Sequence, residues 1–420
     1  MTLQLTSHER AMLAGSHGDA VQLAMRVLTE LARVNGAPRL VPIKSAHVGG
    51  LLYNGRSGLD FARHLNSLDA RVNVPTTLNA GSVDLRKPDA YQGDPSTAKL
   101  ATELMECYVR MGGKPTWTCA PYLLPNQPAQ GDQVVWSESG AVVYANSALG
   151  ARTDRYGAMT DICAAIAGRA PYAGLHVPAN RAATLLLRLT DVPPAVMAQD
   201  ALYQLLGYLT GERAGSAVAA IQGLPREVSE DQLRALSAAS ATSGGLGMVH
   251  VIGVTPEAPT LEKAFQGGPV KAIDVNHRDL LSVRERLSHA DGSPVDVDAV
   301  CLGTPHFSLT EFYTLVRLLR SVGRIHRRTT MLVTTNRHIH AQLTADGLLD
   351  ELERMSVTVL TDVCSYNTCV LPASVQTVMT NSAKWAHYGP GKLGVRVILG
   401  SLHECVMSAV RGRVWWNDKL

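Results

Sequence analysis

An α/β architecture, with sheets covered on both faces, is what this 420-residue sequence predicts. Three features carry that expectation. Short apolar runs such as 299–302 and 357–360 are continuous rather than alternating, as strands buried on both faces require. Stretches with apolar residues at helical spacing lie between these runs. Glycine, serine or asparagine stands beside them, and this order of elements favours layered α/β units with functional loops at strand ends.

Taken along the chain, helices come first. Thr6 and Glu9 have the spacing of a capping box, and Val21, Ala24, Met25, Leu28, Leu31 and Ala32 mark a helix over 19–34 that Asn35 and Gly36 end. Strands are predicted at 40–43, 134–136, 249–254, 299–302, 331–334, 357–360 and 395–399, and further helices at 196–210, 230–239, 309–322 and 338–355. No internal repeat or low-complexity segment interrupts the pattern. Pro/Gly-containing stretches at 168–180 and 288–295 suggest three α/β regions: 1–170, 171–290 and 291–420.

Composition points to a cytoplasmic enzyme. Hydrophobic residues make up 46% and charged residues only 18%, enough to fill two or three cores of ordinary size. A formal charge of +3 without basic runs, and 5% aromatics, argue against a nucleic-acid partner. The first ten residues lack the pattern of a secretory signal, and no uncharged apolar stretch reaches the ~20 residues that cross a bilayer. In a reducing compartment, seven cysteines are expected to be thiols or ligands rather than disulfides.

Four of those thiols lie in distinctive segments: Cys119, Cys301, Cys364 and Cys405. They are scattered over almost 300 positions, so only the fold can bring them together. Single thiols delivered by separate loops suit an iron-sulfur cluster with an open coordination site. Pro121 and Pro125 exclude a regular helix after Cys119 and imply a rigid loop. Ser137, Glu138 and Ser139 stand near an expected exposed helix start, where amide donors favour anions. Arg152 and Arg155, expected at the far end of that helix, are a candidate carboxylate clamp, although such a pair also suits a solvated face. Residues 43–50 set Lys44, Ser45 and His47 beside paired glycines in a polar loop, where serine and histidine also serve backbone groups. Residues 73–80 offer Thr76 and Asn79, either to a carboxylate or simply to a proline-directed turn.

Together, residues 43–50, 118–122, 136–155, 243–268, 303–308, 379–391 and 400–405 resemble the large subunit or large domain of the aconitase X family, and the resemblance spans essentially the whole chain. It implies an aconitase-like multi-domain arrangement of α/β layers around a central cluster site, and an iron-sulfur hydro-lyase. Branches of that family act on cis-3-hydroxy-L-proline or on mevalonate 5-phosphate. It also implies a smaller swivelling domain. Residues 412–420 do not supply one, so a separate small subunit is the expected partner. The resemblance raises Lys44, Thr76, Asn79, Ser137, Glu138, Ser139, Asn146, Arg152, Arg155 and His306 as substrate-binding candidates. As cluster ligands it ranks Cys364 and Cys119 ahead of Cys301 and Cys405, with Cys107 and Cys163 left to helical cores. One departure is informative: where the phosphomevalonate branch carries cysteine between glycine and Pro-His, this chain has Gly303-Thr304-Pro305-His306. Threonine there favours the hydroxyproline branch, whose product is pyrroline-2-carboxylate.

Such a dehydration removes hydroxide and a proton next to a carboxylate. It calls for a Lewis acid on oxygen, cationic groups for the developing charge and a base. By chemistry Ser45, His47, Lys384 and His387 are the base candidates, and a helix would put Lys384 and His387 on one face. A nicotinamide site is rejected, because the glycines at 244, 245 and 247 lack the Gly-x-Gly-x-x-Gly spacing and precede a strand. A non-catalytic scaffold remains the competing class. The density of cysteine, histidine, lysine and arginine in loops argues against it.

Overall fold

The computed structural model describes residues 2–288 and 295–417. Most of the expected boundary at 288–295 lies outside the described residues. Among the described residues the strands are β1 (Leu40–Pro42), β2 (Ser45–Val48), β3 (Thr76–Leu78), β4 (Val134–Trp136), β5 (Arg169–Pro171), β6 (Leu185–Leu189), β7 (Ala219–Gln222), β8 (Val249–Val251), β9 (Lys271–Val275), β10 (Ala299–Leu302), β11 (Thr330–Thr334), β12 (Val357–Leu360), β13 (Thr377–Thr380) and β14 (Arg396–Leu399).

These strands form three parallel sheets in orders β3-β2-β4, β8-β7-β6-β9 and β12-β11-β10-β13-β14, while β1 and β5 pair antiparallel. Because β5 pairs back onto β1, the stretch at 168–180 begins inside the first unit. Each parallel sheet grows outward on one side of its first strand and then crosses to the other. That leaves a crevice at the strands' carboxyl ends, the general place for ligands in open α/β sheets. The crevices that matter lie between β2 and β4 and between β10 and β13.

Burial on both faces explains the apolar runs. On β10, Ala299 and Cys301 enter one core while Val300 and Leu302 enter another. Helix starts follow their caps: Ser308 and Glu311 form a reciprocal capping box before Leu309–Val322, and Ser401 and Glu404 do so before Leu402–Arg411. Several elements differ from the sequence expectation. The helix expected over 338–355 is two, Arg337–Ala345 and Leu348–Arg354, parted by Gly347 at φ +69°. That over 196–210 is likewise split into Pro194–Met197 and Asp200–Ala214. Residues 45–48 and 76–78, expected as loop and turn, are strands of the first sheet. No helix among the described residues is long and apolar enough to cross a membrane.

Glycine is obligatory where β10 ends. Gly303 has φ +90°, and a Cβ there would collide with the backbone carbonyl of Thr334 on the neighbouring strand. Gly253, at φ +78°, faces open space instead. Gly253→Ala should therefore cost only the left-handed strain, about 1–2 kcal/mol. Gly303→Ala should cost at least about 3 kcal/mol, since backbone has to move as well. Equilibrium denaturation of the two variants checks the difference.

Candidate active site

Loops from the first and third sheets meet around a cavity of about 340 Å³. The first sheet contributes Gly49 after β2, Asn79 and Ala80 after β3, and Ser137, Glu138 and Ser139 after β4. The third contributes Thr304 and Pro305 after β10, Cys364, Tyr366 and Asn367 after β12, and Lys384, Tyr388 and Lys392 from the helix that follows β13. Cys119, from the Pro-rich loop, completes the wall. Two carboxyl-end crevices thus face each other across one space.

An ion pair spans that space. Glu138 is the N-cap of the helix Ser139–Ser147: its Oε2 accepts the Ala141 amide at 2.6 Å, and its Oε1 bonds Lys384 Nζ. Lys384 Nζ also lies 3.3 Å from Ser139 Oγ. Both partners are buried, at 9% and 7% side-chain exposure. Burial alone would lower the Lys384 pKa, but Glu138, with help from Tyr366 and Cys119, holds it well above the usual lysine range. Lys384 and Glu138 therefore form a buried ion pair at the cavity wall.

The cysteines separate into three environments. Cys119 and Cys364 reach the cavity; burial raises both thiols, although Lys384 opposes the effect on each. The loop after β10 touches both sulfurs, with the His306 amide 3.3 Å from Cys119 Sγ and Thr304 Oγ1 3.7 Å from Cys364 Sγ. Cys301 points from mid-strand into the core, where burial pushes its thiol up to about 12. Cys405 packs in the core on the opposite face of the same sheet, so the structure does not bring it to Cys119 and Cys364. Cys369 is exposed. Among the described residues no three His, Cys, Asp or Glu side chains converge as a ready metal cage. The cavity wall offers two soft donors instead. Thiolates at such depth need a compensating cation, and this chemistry fits an iron-sulfur group held at Cys119 and Cys364.

The four base candidates do not converge. Ser45 lies half-buried in β2 and does not line the cavity. His47, in the same central strand, is fully buried, and burial lowers its pKa to about 4 even though Glu138 opposes it. Its Nδ1 meets Thr77 Oγ1 at 2.8 Å. His387 is exposed and bonded to Tyr208 at 2.8 Å, turned away from Lys384. The helix presents Lys384, Tyr388 and Lys392 to the cavity, four residues apart, so the expected sharing of one face by Lys384 and His387 does not occur.

The remaining candidates divide in the same way. Asn79, Ser137, Glu138 and Ser139 line the cavity. The helix start at Glu138 is buried rather than exposed, because Lys384 from the helix after β13 and Ala238 of the middle unit lie against it. Lys44 forms a surface ion pair with Asp132, and Thr76 Oγ1 bonds the carbonyl of Val74. Asn146 is buried in a full set of hydrogen bonds to Thr153, Gly247 and Arg181. Arg152 and Arg155 are not helical, since the helix stops at Ser147. Arg152 pairs by backbone with Gln133, and Arg155 bonds the Gly244 and Leu246 carbonyls. His306 is fully buried behind the cavity wall. Tyr366, Asn367, Tyr388 and Lys392 line the cavity without having been marked in the sequence, although the four-residue spacing from Lys384 was a signal for two of them.

A three-unit α/β chain, with paired thiols and a buried ion pair where two crevices meet, defines a class of multi-domain enzyme with its site between domains. Models of the aconitase X first, second and third domains match residues 2–179, 183–285 and 297–411. The chain belongs to the aconitase X family. It is 43% identical to a cis-3-hydroxy-L-proline dehydratase of Hypocrea jecorina, over 98% of this chain and 69% of that protein. A dehydratase of the same name from Pseudomonas aeruginosa is also 43% identical, over 98% and 70%. A phosphomevalonate dehydratase large subunit of Methanothermobacter thermautotrophicus is 37% identical, over 93% and 94%. The crystal structure of Thermococcus kodakaraensis aconitase X in its holo-form superposes with a TM-score of 0.87 at 33% identity, covering 97% of this chain and 100% of that one.

The buried histidines make the fold sensitive to acid. Burial holds His47 and His176 near a pKa of about 4, against about 6.5 when unfolded. Between those values the unfolded chain binds more protons than the folded one, so stability is lost as pH falls from 6.5 towards 4. Denaturant midpoints measured across that window should drop steadily, and His47→Gln should reduce the slope.

Proposed function

We propose that this chain is the large subunit of a hydro-lyase that converts cis-3-hydroxy-L-proline to pyrroline-2-carboxylate. The observation that carries the choice of substrate is the charge inventory of the cavity. Among the described lining residues there is no arginine, and of the two lysines one is already matched by Glu138. Lys392 is then the one uncompensated cation, which suits a small zwitterion with a single carboxylate. Mevalonate 5-phosphate carries a carboxylate and a phosphate and would call for further cationic donors. The two hydroxyproline dehydratases are also the more similar of the curated relatives described above.

The reaction removes the proton on C2 and the hydroxide on C3, together one water. It leaves a C2=C3 enamine that tautomerises to the imine. An iron-sulfur cluster, when bound, supplies the Lewis acid that the departing hydroxide needs. Cys119 and Cys364 would hold it. Lys392 binds the carboxylate, and Asn79, Asn367 and Ser139 orient the ring by hydrogen bonds. The Lys384 ammonium stabilises the negative charge that develops beside the carboxylate when the C2 proton leaves, and Glu138 keeps that ammonium in place. Bonded to Glu138, Lys384 is assigned this electrostatic role rather than that of the base. Proton removal is assigned to a group brought to the mouth by a smaller swivelling domain, supplied as a separate subunit. The large-subunit name of the archaeal relative, which this chain matches along 94% of its length, supports a divided enzyme.

The test is turnover after coexpression with a small subunit. Hydroxyproline should be dehydrated and mevalonate 5-phosphate left unchanged; the reverse preference would reject the proposal. In the same complex, Cys119→Ser and Cys364→Ser should lose iron on anaerobic reconstitution, since a hydroxyl is a poor ligand for soft iron. Cys405→Ser, on the other face of the sheet, should keep its iron. Iron and sulfide assays read the outcome, and full loading of both cavity variants would remove these thiols from the cluster.

A further inference from the structure

His306 lies outside the cavity yet touches everything that carries the two thiols. Its ring is fully buried, as is Thr118, and neither ring nitrogen is idle. Nε2 stands 2.8 Å from the carbonyl of Val363, which can only accept, so the proton resides on Nε2. Nδ1 is then an acceptor, 3.1 Å from Thr118 Oγ1, and that hydroxyl oxygen also accepts the Ala120 amide at 3.0 Å. Thr118 and Val363 are the residues immediately before Cys119 and Cys364. One imidazole therefore ties together the two loops that deliver sulfur, and its own backbone amide reaches Cys119 Sγ at 3.3 Å.

The histidine is itself anchored from the middle unit. Arg234 Nη2 donates to the His306 carbonyl at 3.2 Å, while the guanidinium is fixed by ion pairs to Asp231 at 2.6 Å and Glu311 at 2.9 Å. A rigid planar ring with both nitrogens used and its carbonyl pinned has little freedom to shift.

We infer that His306 is a positioning residue: it sets the separation and direction of the Cys119 and Cys364 sulfurs by holding the residue before each. This rests on the reading that these two thiols share a site, and the test separates the two ideas. The sequence resemblance placed His306 among substrate-binding groups, whereas its burial behind the wall gives it a structural reach to the thiols instead.

The probe is phenylarsine oxide, which forms two As–S bonds with a close thiol pair and releases one water, so its affinity reports thiol geometry without iron. The full chain, metal-free and carrying Cys369→Ser to remove the exposed thiol, should bind one equivalent tightly. Cys119→Ser and Cys364→Ser should each abolish that binding; if they do not, the shared-thiol reading itself fails. With that established, His306→Ala should weaken binding at least tenfold and His306→Gln, which keeps a donor for Val363, by less. Thr118→Val removes only the hydroxyl at Nδ1 and keeps the volume, so it tests the same bridge if the histidine variants do not fold; at least a threefold loss is expected. Wild-type affinity in folded His306→Ala, or in Thr118→Val, would overturn the positioning role.

Discussion

The buried pair between Glu138 and Lys384 is the constraint around which the rest is arranged. Two charges at this depth are costly to desolvate, and either alone would be prohibitive. They are tolerable because each has further partners: Glu138 caps a helix through Ala141, and Lys384 reaches Ser139. The carboxylate comes from the first sheet and the ammonium from the helix after β13. The pair therefore bridges the two carboxyl-end crevices, and the cavity lies beside it. It also leaves a preset positive group beside the thiols.

Behind that wall the polar groups are used for shape. His47 and His306 are neutral by burial, and Arg234 spends its charge on Asp231 and Glu311. The loop 303–306 can lie against both sulfurs only because Gly303 takes a backbone conformation closed to other residues and passes close to Thr334. Sheet, glycine, histidine and thiols form a chain of dependence running from backbone to chemistry.

Much of this was legible in the sequence. The runs at 299–302 and 357–360 are strands because burial on both faces leaves an unbroken apolar string, and the family resemblance follows from long loop segments. The short strands Ser45–Val48 and Thr76–Leu78 were hidden by their polar residues, which read as loop or turn. Sheet faces were hidden too. Cys301 and Cys405 look equivalent in sequence, but one points into the core beneath the site and the other lies across the sheet. Arg152 and Arg155 were placed on a helix that stops at Ser147, where the backbone turns to run beside Gln133. Pro390 and Gly391 masked the continuation of a helix whose four-residue spacing puts Lys392 in the cavity.

The cavity between the first and third sheets is proposed to hold both the cluster and a hydroxyproline-sized zwitterion. This is tested most directly by the electron paramagnetic resonance spectrum of the reduced, iron-loaded chain coexpressed with the proposed small subunit, recorded with and without cis-3-hydroxy-L-proline. A saturable change in the cluster signal on adding that compound, but not on adding mevalonate 5-phosphate, is the predicted result. A spectrum indifferent to hydroxyproline and shifted by mevalonate 5-phosphate would contradict it.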